Sequence, residues 1–233
     1  AHAAKMGELR GQLTTQHALE MRLVEQRGST LQSDLKQQHA AQMAQQQQRV
    51  AELQAALDDV TCDEVPPLGS MLYIKETPES GGGDTLYADM YLAYELLSEK
   101  MKELLTGLVA VHDGALPYLR NYKVAAPNGQ EYPKNEHPII TTHPETGKKV
   151  LYVNSGFTSH IKGLASWESD SILGALKQFI ASTPRLTCRV NWAPNTLTFW
   201  DNRCTQHHAV WDYWPDTRSG ERVSILGSER PCA

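Results

Sequence analysis

The sequence predicts a mainly β fold with inserted helices, an α+β arrangement. Several short segments rich in Val, Thr, Leu and Trp lie in the last 50 residues, separated by Pro, Asn or Gly. Such segments are typical of strands, and two longer stretches with helical spacing are inserted before them. Because the strands and helices do not alternate, the pattern favours a β-sandwich or barrel over a parallel α/β sheet.

The elements follow in order along the chain. The apolar spacing predicts one amphipathic helix over 89–110, and a second over 166–181 in which Ser166 is the expected N-cap. A proline-rich stretch between 117 and 144 is expected to be irregular. Strands are predicted at 71–74, 149–153, 188–192, 196–200, 209–213 and 222–226.

The composition divides the chain into two parts. All 12 prolines and every Trp, Tyr and Phe lie beyond Val65, whereas residues 1–57 contain 12 Gln. We therefore expect a helical Gln-rich segment over 1–57 and a separate domain over 58–233. The apolar spacing of Val50, Leu53 and Leu57 is not sustained over enough heptads for a clear coiled coil. An exposed helix is favoured, and an oligomerising coil that would make the protein a homo-oligomer stays open.

The overall charge and the cysteines exclude several classes of protein. A net charge of −5 gives no general basic field for nucleic acid. No apolar run approaches the roughly 20 residues of a membrane helix, and the N-terminus lacks a signal-peptide core, so no membrane partner is expected. The four cysteines show no CxxC pairing. Such thiols fit a reducing compartment, and we expect a cytoplasmic protein.

The most informative polar residues lie near the C-terminus. His207 leaves a strand-like run in a polar stretch, which is a reasonable place for a metal ligand. Arg218 and Arg222 are four residues apart, so in a strand both side chains point to one face, together with Ser224. Two guanidinium groups on an inward face need anions, and their planar fork suits a carboxylate or a sulfonate.

Six motifs surround these residues in a fixed order. Over about residues 59–229 their order resembles the taurine dioxygenase family of Fe(II)- and 2-oxoglutarate-dependent oxygenases. The motifs are Pro66-Pro67-x-Gly69-Ser70, Gly82-Gly83-Asp84-Thr85, His143-Pro144-Glu145-Thr146-Gly147, Val153-Asn154-x-Gly156-Phe157-Thr158, Trp200-Asp201-Asn202-Arg203-x-Thr205-Gln206-His207 and Arg218-x-x-x-Arg222-Val223-x-Ile225-Leu226-Gly227.

The resemblance implies a double-stranded β-helix, or jelly roll, that holds iron with two histidines and a carboxylate. By position, His207 is similar to the distal histidine ligand and Asp59 to the carboxylate ligand. Thr85 and Arg218 are similar to the pair that grips the far carboxylate of 2-oxoglutarate. Arg222 is similar to the residue that meets the anionic group of the substrate. The implied reaction uses O2 to hydroxylate a small sulfonate, sulfate ester or carboxylate.

One position departs from the family pattern. The family pattern Trp-His-Ser/Thr-Asp aligns with Ala56-Leu57-Asp58-Asp59 in this chain. Leu57 therefore stands in place of the first histidine ligand. The resemblance also implies a globular segment upstream, so we expect a jelly roll that is incomplete at its N-terminal side. Three explanations stay open: a gene-model fault at this junction, a chain that has lost catalysis, or another ligand such as Asp58, Asp63 or an N-terminal His. The alternative function is a non-catalytic jelly-roll scaffold with a helical interaction segment.

The remaining histidines and the glycine run receive structural interpretations. His137 and His143, each before a proline, are expected to form turns rather than a second metal pair. His112 and His160 have no partners at metal-site spacing and are expected to be ordinary. No Gly-Lys-Ser/Thr follows the glycines at 81–83, so they predict no phosphate loop.

Overall fold

The computed structural model describes residues 61–117 and 131–233. The predicted Gln-rich helix over 1–57 and its coiled-coil alternative lie outside these residues. Within the described part strands predominate, which confirms a mainly β fold. The strands are β1 (Gly69–Glu76), β2 (Thr85–Asp89), β3 (Val109–Asp113), β4 (Lys134–Pro138), β5 (Ile140–Thr142), β6 (Lys149–Leu151), β7 (Thr158–Ile161), β8 (Thr187–Val190), β9 (Thr196–Asp201), β10 (Thr205–Ala209) and β11 (Ser219–Ile225).

The first predicted helix is wrong as a single element, because the chain forms two short helices there. These are α1 (Met90–Glu95) and α2 (Glu99–Leu105). Ser98 starts the second helix, since its hydroxyl accepts a hydrogen bond from the Met101 backbone N–H at 3.2 Å. Gly107 follows with φ +80°, and the chain enters β3 at Val109 instead of remaining helical to 110.

The second helix, α3 (Ser166–Ser182), confirms its prediction, with one difference at its start. Its N-cap is Ala165 rather than Ser166, and the Glu168 carboxylate accepts a hydrogen bond from the Ala165 backbone N–H at 2.9 Å. A 3-10 turn over Pro184–Leu186 then leads into β8. Within the described ranges no helix has the length and apolar character needed to cross a membrane.

Two strand predictions also need correction. The strand predicted at 209–213 lies earlier in the chain, at Thr205–Ala209, where it pairs with β2. The Val210 N–H follows it and donates to the Asp84 carbonyl. The stretch expected to be irregular contains β4, which pairs with β3, and β5, which pairs with β6. Alternation in these strands is weak, and long-range pairing decides their structure.

Two three-stranded antiparallel sheets carry the residues of interest. In the first sheet the order is β11-β1-β9, and in the second sheet it is β10-β2-β8. The register of the first sheet places Ser70 opposite both Ser224 and Trp200. The register of the second sheet places Tyr87 opposite His207. Because directly opposed residues share a face, each row presents its side chains to one side of its sheet.

The two faces of the first sheet differ in burial. Ser70 and Trp200 are buried, at 0% and 6% exposed, and they define the inner face. Phe199 and Val223 alternate with these residues and are both 57% exposed on the outer face. Arg222 and Ser224 therefore share the inner face, as the spacing of β11 predicts.

A separate apolar core packs behind the second sheet. This core joins the far face of β2 to α1, α3 and the β5–β6 hairpin. At the edge of the core, the Gln206 side chain donates a hydrogen bond to the Val153 carbonyl. Its most buried members are Ala93, Leu105, Ala110, Ile139, Val150, Leu151, Val153, Ile161, Leu173 and Leu176. This core fixes β2 and β10 from one side, so that Tyr87 and His207 project to the other.

Candidate active site

Aromatic contacts hold the inner faces of the two sheets together. The Trp200 ring from the first sheet lies 5.4 Å from the Tyr87 ring and 5.1 Å from the His207 ring of the second sheet. The Tyr87 and His207 rings are 6.1 Å apart. These centroid distances are those of favourable tilted aromatic pairs. The candidate ligand His207 therefore faces the same space as Arg222, whose guanidinium lies 5.2 Å from the Trp200 ring.

Arg218 is held against the glycine loop that precedes β2. Its Nη1 donates to the Gly83 carbonyl, and its guanidinium lies 5.8 Å from the Tyr213 ring centroid. Gly83 has φ +70°, and a Cβ there would lie 3.0 Å from the Tyr213 ring and 3.1 Å from Arg218 Cδ. Only glycine fits both the backbone angle and this close approach. The glycine loop therefore leaves room for the Arg218 side chain and binds it through the Gly83 carbonyl. It does not form a phosphate loop.

Thr85 follows two residues after Gly83, so the predicted co-substrate pair lies on adjoining segments. The Thr85 side chain is buried, and its Oγ1 accepts a hydrogen bond from Trp192 Nε1 at 3.1 Å. Since the indole supplies that donor, the threonine hydroxyl keeps its own hydrogen to donate. A hydroxyl and a guanidinium are two donors suited to a carboxylate.

An ion-pair network anchors this loop from the other side. The buried Asp84 carboxylate accepts hydrogen bonds from Arg189 Nε and from Asn191 Nδ2, the latter at 2.9 Å. Asp212 accepts from the Gly83 N–H at 2.8 Å and pairs with Arg189 at 3.5 Å. The hydrogen bond from Arg189 lowers the pKa of Asp84. The network therefore fixes the backbone on which Thr85 and Arg218 depend.

Arg222 lies on the inner face of β11. Its Nη2 donates to the buried Ser70 hydroxyl at 3.1 Å. Two further buried polar atoms, Trp200 Nε1 and Ser224 Oγ, make no hydrogen bond within the described residues. Buried polar atoms are nearly always paired, so unpaired donors beside a guanidinium suit a polar, anionic ligand.

His207 has the chemistry of a metal ligand in its neutral form. Desolvation lowers the pKa of its imidazole to about 4. The residue as a whole is exposed to solvent, although its ring lies beside the rings of Trp200 and Tyr87. A neutral imidazole is the form that binds metals. The other proposed ligand, Asp59, and the departure at Leu57 lie outside the described residues.

A second group of metal-type side chains has a different role. One ligand atom from each of His143, Asp201 and Cys204 lies within 4.8 Å of the others. Arg203, however, bonds both carboxylate oxygens of Asp201, through Nε at 2.9 Å and Nη2 at 2.6 Å. Burial also raises the pKa of the Cys204 thiol, which keeps it protonated. A guanidinium already satisfies this carboxylate, and the group joins the β5–β6 turn to β9.

Two histidines expected to be ordinary or turn-forming prove to be buried neighbours. The rings of His112 and His137 are 5.3 Å apart, and both residues are 0% exposed. Thr61 Oγ1 lies 2.8 Å from His112 Nδ1, at hydrogen-bond distance. Burial lowers the pKa of His112 to about 3. His137 lies in β4 rather than in a turn.

Sequence reasoning missed two contributors to the site, Tyr87 and the Asp84–Arg189 pair. Tyr87 is two residues beyond Thr85, and the period-2 rule of a strand would have placed it on the same face. To place Tyr87 in this way, strand β2 must first be recognised, and a strand of five residues gives too weak a pattern for that. The partner of Asp84 lies 105 residues away and had no local signal.

Arg218 lies one residue before β11, outside the strand in which the spacing had placed it with Arg222. An imidazole, a threonine and an arginine on facing antiparallel sheets, with this second arginine beside them, define a β-sheet protein with a site for anions. Comparison with known families is more specific. The family described as "Taurine catabolism dioxygenase TauD, TfdA family" matches residues 8–225. The chain belongs to the TauD/TfdA family, which confirms the resemblance seen in its motifs.

Individual relatives give the same assignment. The chain is 38% identical to a protein of Schizosaccharomyces pombe named "Putative alpha-ketoglutarate-dependent sulfonate dioxygenase", over 72% of this chain and 43% of that protein. It is 33% identical to the "Alpha-ketoglutarate-dependent sulfate ester dioxygenase" of Pseudomonas putida, over 72% and 58%. The chain spans about half the length of these curated relatives.

A solved structure supports the fold as well. A taurine dioxygenase from Burkholderia xenovorans is similar with a TM-score of 0.65 and 33% identity. The similarity covers 74% of this chain and 57% of that structure. The proteins of this family are 2-oxoglutarate-dependent dioxygenases, so the family is one of enzymes.

The loop network predicts a specific response to acid. Asp84, with its lowered pKa, stabilises the fold above its ordinary pKa, and this stabilisation is lost as pH falls through the folded-state pKa. Arg189→Gln removes the main cause of the lowered pKa. The loss of stability then begins at a higher pH, and the acid-unfolding midpoint, followed by circular dichroism, moves upward. The control Arg185→Gln changes an exposed arginine in the 3-10 turn and should leave the midpoint in place; equal shifts in both variants contradict the assignment.

Proposed function

We propose that this chain is the oxygenase domain of an Fe(II)- and 2-oxoglutarate-dependent dioxygenase that hydroxylates a small organic anion. The observation that carries the proposal is the placement of Arg218 and Arg222. One lies against the glycine loop beside Thr85, and the other lies on the inner face near His207. Two cationic groups at separate positions suit two different anions, a co-substrate and a substrate.

The overall reaction in this proposal is balanced. The substrate R–H, 2-oxoglutarate and O2 give R–OH, succinate and CO2. Fe(II), when bound, supplies the activation of O2. The described residues fit this metal at His207, which is neutral at ordinary pH. In the proposal Asp59 supplies the carboxylate ligand.

The other residues bind and orient the two anions. Thr85 and Arg218 hold the far carboxylate of 2-oxoglutarate. Arg222 meets the anionic group of the substrate and points its reactive C–H bond toward His207. The buried rings of Trp200 and Tyr87 form an apolar wall beside this space.

The substrate class in the proposal is a sulfonate, a sulfate ester or a carboxylate. Supporting this are the names of relatives, which include a sulfonate dioxygenase and a sulfate ester dioxygenase. Arg222 distinguishes only the charge, since its guanidinium can meet each of these groups with two hydrogen bonds. We propose that the domain has the double-stranded β-helix fold. We also propose that it is cytoplasmic, because its four free thiols would stay reduced there.

A second candidate function rests on Leu57. An alkyl side chain cannot coordinate iron, so a chain with this residue in the position of the first histidine binds the metal weakly. The alternative is then a jelly-roll scaffold without catalysis, in which the segment 1–57 provides interactions. Binding of the two anions by Thr85, Arg218 and Arg222 does not require the third ligand.

The role of Arg222 can be tested by anion binding. Arg222→Leu removes the charged donor and should weaken binding of taurine about 10- to 100-fold, because a charged hydrogen bond contributes about 1.5–3 kcal/mol. Isothermal titration calorimetry in the presence of 2-oxoglutarate measures this change. The control Arg230→Leu removes an exposed arginine that pairs with Glu64 and should leave the affinity unchanged. Equal affinities for the Arg222→Leu and unsubstituted chains contradict the assignment.

The metal site can be tested by restoring the missing ligand. Leu57→His should raise the affinity for Co(II) by at least about tenfold, since even outer partners of metal ligands contribute 10- to 100-fold. The increase is measured by the visible absorption of bound Co(II). The control Leu53→His adds a histidine four residues earlier in the sequence and should not reproduce it.

Succinate release separates the explanations for Leu57. The unsubstituted chain is expected to release little succinate from 2-oxoglutarate, and Leu57→His to release more. Equal, rapid release by both chains would show that another residue already completes the iron site. If neither Co(II) affinity nor succinate release responds to Leu57→His, the scaffold function is favoured.

A further inference from the structure

The hydroxyl of Tyr87 is a buried polar group that the proposed mechanism does not use. The residue is 7% exposed, and its phenolic oxygen has no hydrogen-bond partner within the described residues. An unpaired buried hydroxyl is costly, and buried polar atoms are nearly always satisfied by protein, water or a ligand. The position of this hydroxyl indicates what satisfies it.

Tyr87 lies on the same strand and the same face as Thr85. The two residues are separated by one position in β2, so both side chains project between the sheets. The Tyr87 ring is bracketed by Trp200 at 5.4 Å and His207 at 6.1 Å. The charge of Arg218 acts to lower the pKa of Tyr87, against the larger effect of burial. Tyr87 therefore shares the space between the sheets with the candidate metal ligand His207 and with Thr85 of the candidate co-substrate pair.

The Tyr87 phenol is a hydrogen-bond donor at neutral pH. Burial raises the pKa of Tyr87 to about 12, so its O–H remains protonated. The neighbouring donors are the Thr85 hydroxyl, whose oxygen already accepts from Trp192, and the Arg218 guanidinium. Two hydroxyl donors and a guanidinium suit a ligand rich in acceptor oxygens.

We propose that the Tyr87 hydroxyl donates a third hydrogen bond to the far carboxylate of 2-oxoglutarate, beside Thr85 and Arg218. This inference rests on the proposed function, because it takes that pair as the co-substrate site. Tyr87 then binds the co-substrate directly and makes affinity depend on a neutral donor as well as on the charge of Arg218. The co-substrate in turn satisfies a hydroxyl that the described residues leave unpaired.

The test is Tyr87→Phe, which removes only the hydroxyl. The dissociation constant of 2-oxoglutarate, measured by calorimetry with Mn(II) present and again without metal, should rise about tenfold. The melting temperature without 2-oxoglutarate should stay the same or rise, because no protein hydrogen bond is lost. A merely structural tyrosine would show the reverse, with a lower melting temperature and unchanged affinity.

Tyr73→Phe is the matched control. The Tyr73 hydroxyl is on the outer face of the first sheet and donates to Asn195 Oδ1 at 2.5 Å. Its loss should lower the melting temperature slightly and leave 2-oxoglutarate affinity unchanged. Arg218→Met tests the co-substrate site separately from the role of Tyr87. It should abolish binding of 2-oxoglutarate whether or not the Tyr87 hydroxyl takes part.

The outcomes distinguish the inference from the function on which it rests. If Arg218→Met abolishes binding and Tyr87→Phe leaves it unchanged, the role of Tyr87 is overturned and the function stands. If the unsubstituted chain does not bind 2-oxoglutarate at all, both are overturned. A tenfold loss in Tyr87→Phe, with an undiminished melting temperature, supports the inference.

Discussion

The packing of Trp200 against Tyr87 and His207 is the contact on which the site depends. It joins the inner face of the β11-β1-β9 sheet, which carries Arg222, to that of the β10-β2-β8 sheet, which carries Thr85 and His207. Arg222 lies against the same indole ring. Because large aromatic rings bury much surface, they can hold two sheets together and still leave polar groups between them. The site is thus built at a junction of two apolar faces.

The polar residues around this junction are held by different means. Arg218 is placed by the Gly83 carbonyl and the Tyr213 ring, whereas Arg222 is placed by the Ser70 hydroxyl. The first contact depends on a loop fixed by Asp84, and the second on the pairing of β1 with β11, the strands that carry Ser70 and Arg222. This separation allows the two arginines to serve different anions. The acidic residues Asp84 and Asp212 beside the loop are paired with Arg189, Asn191 or the Gly83 N–H.

Much of this arrangement could be predicted from the sequence, and the failures have physical reasons. The two-residue spacing of Arg222 and Ser224 correctly predicted that both face inward from β11. Alternate residues of a strand share a face, so placing one side chain fixes the orientation of the others. The helix over 89–110 was wrong, since Ser98 favours a new helix start over continuation. Strands β2 and β4 were missed because their pairing partners lie far along the chain. The unpaired hydroxyl of Tyr87 is a property of the packed site and has no signature in the sequence.

The central claim is that Thr85 and Arg218 hold the far carboxylate of 2-oxoglutarate in the space between the two sheets. A crystal structure of the chain with Mn(II) and N-oxalylglycine, an unreactive analogue, tests it most directly. The account predicts density for that carboxylate within hydrogen-bond distance of Thr85 Oγ1 and the Arg218 guanidinium. An analogue bound elsewhere, for example beside Arg203 and His143, would contradict it.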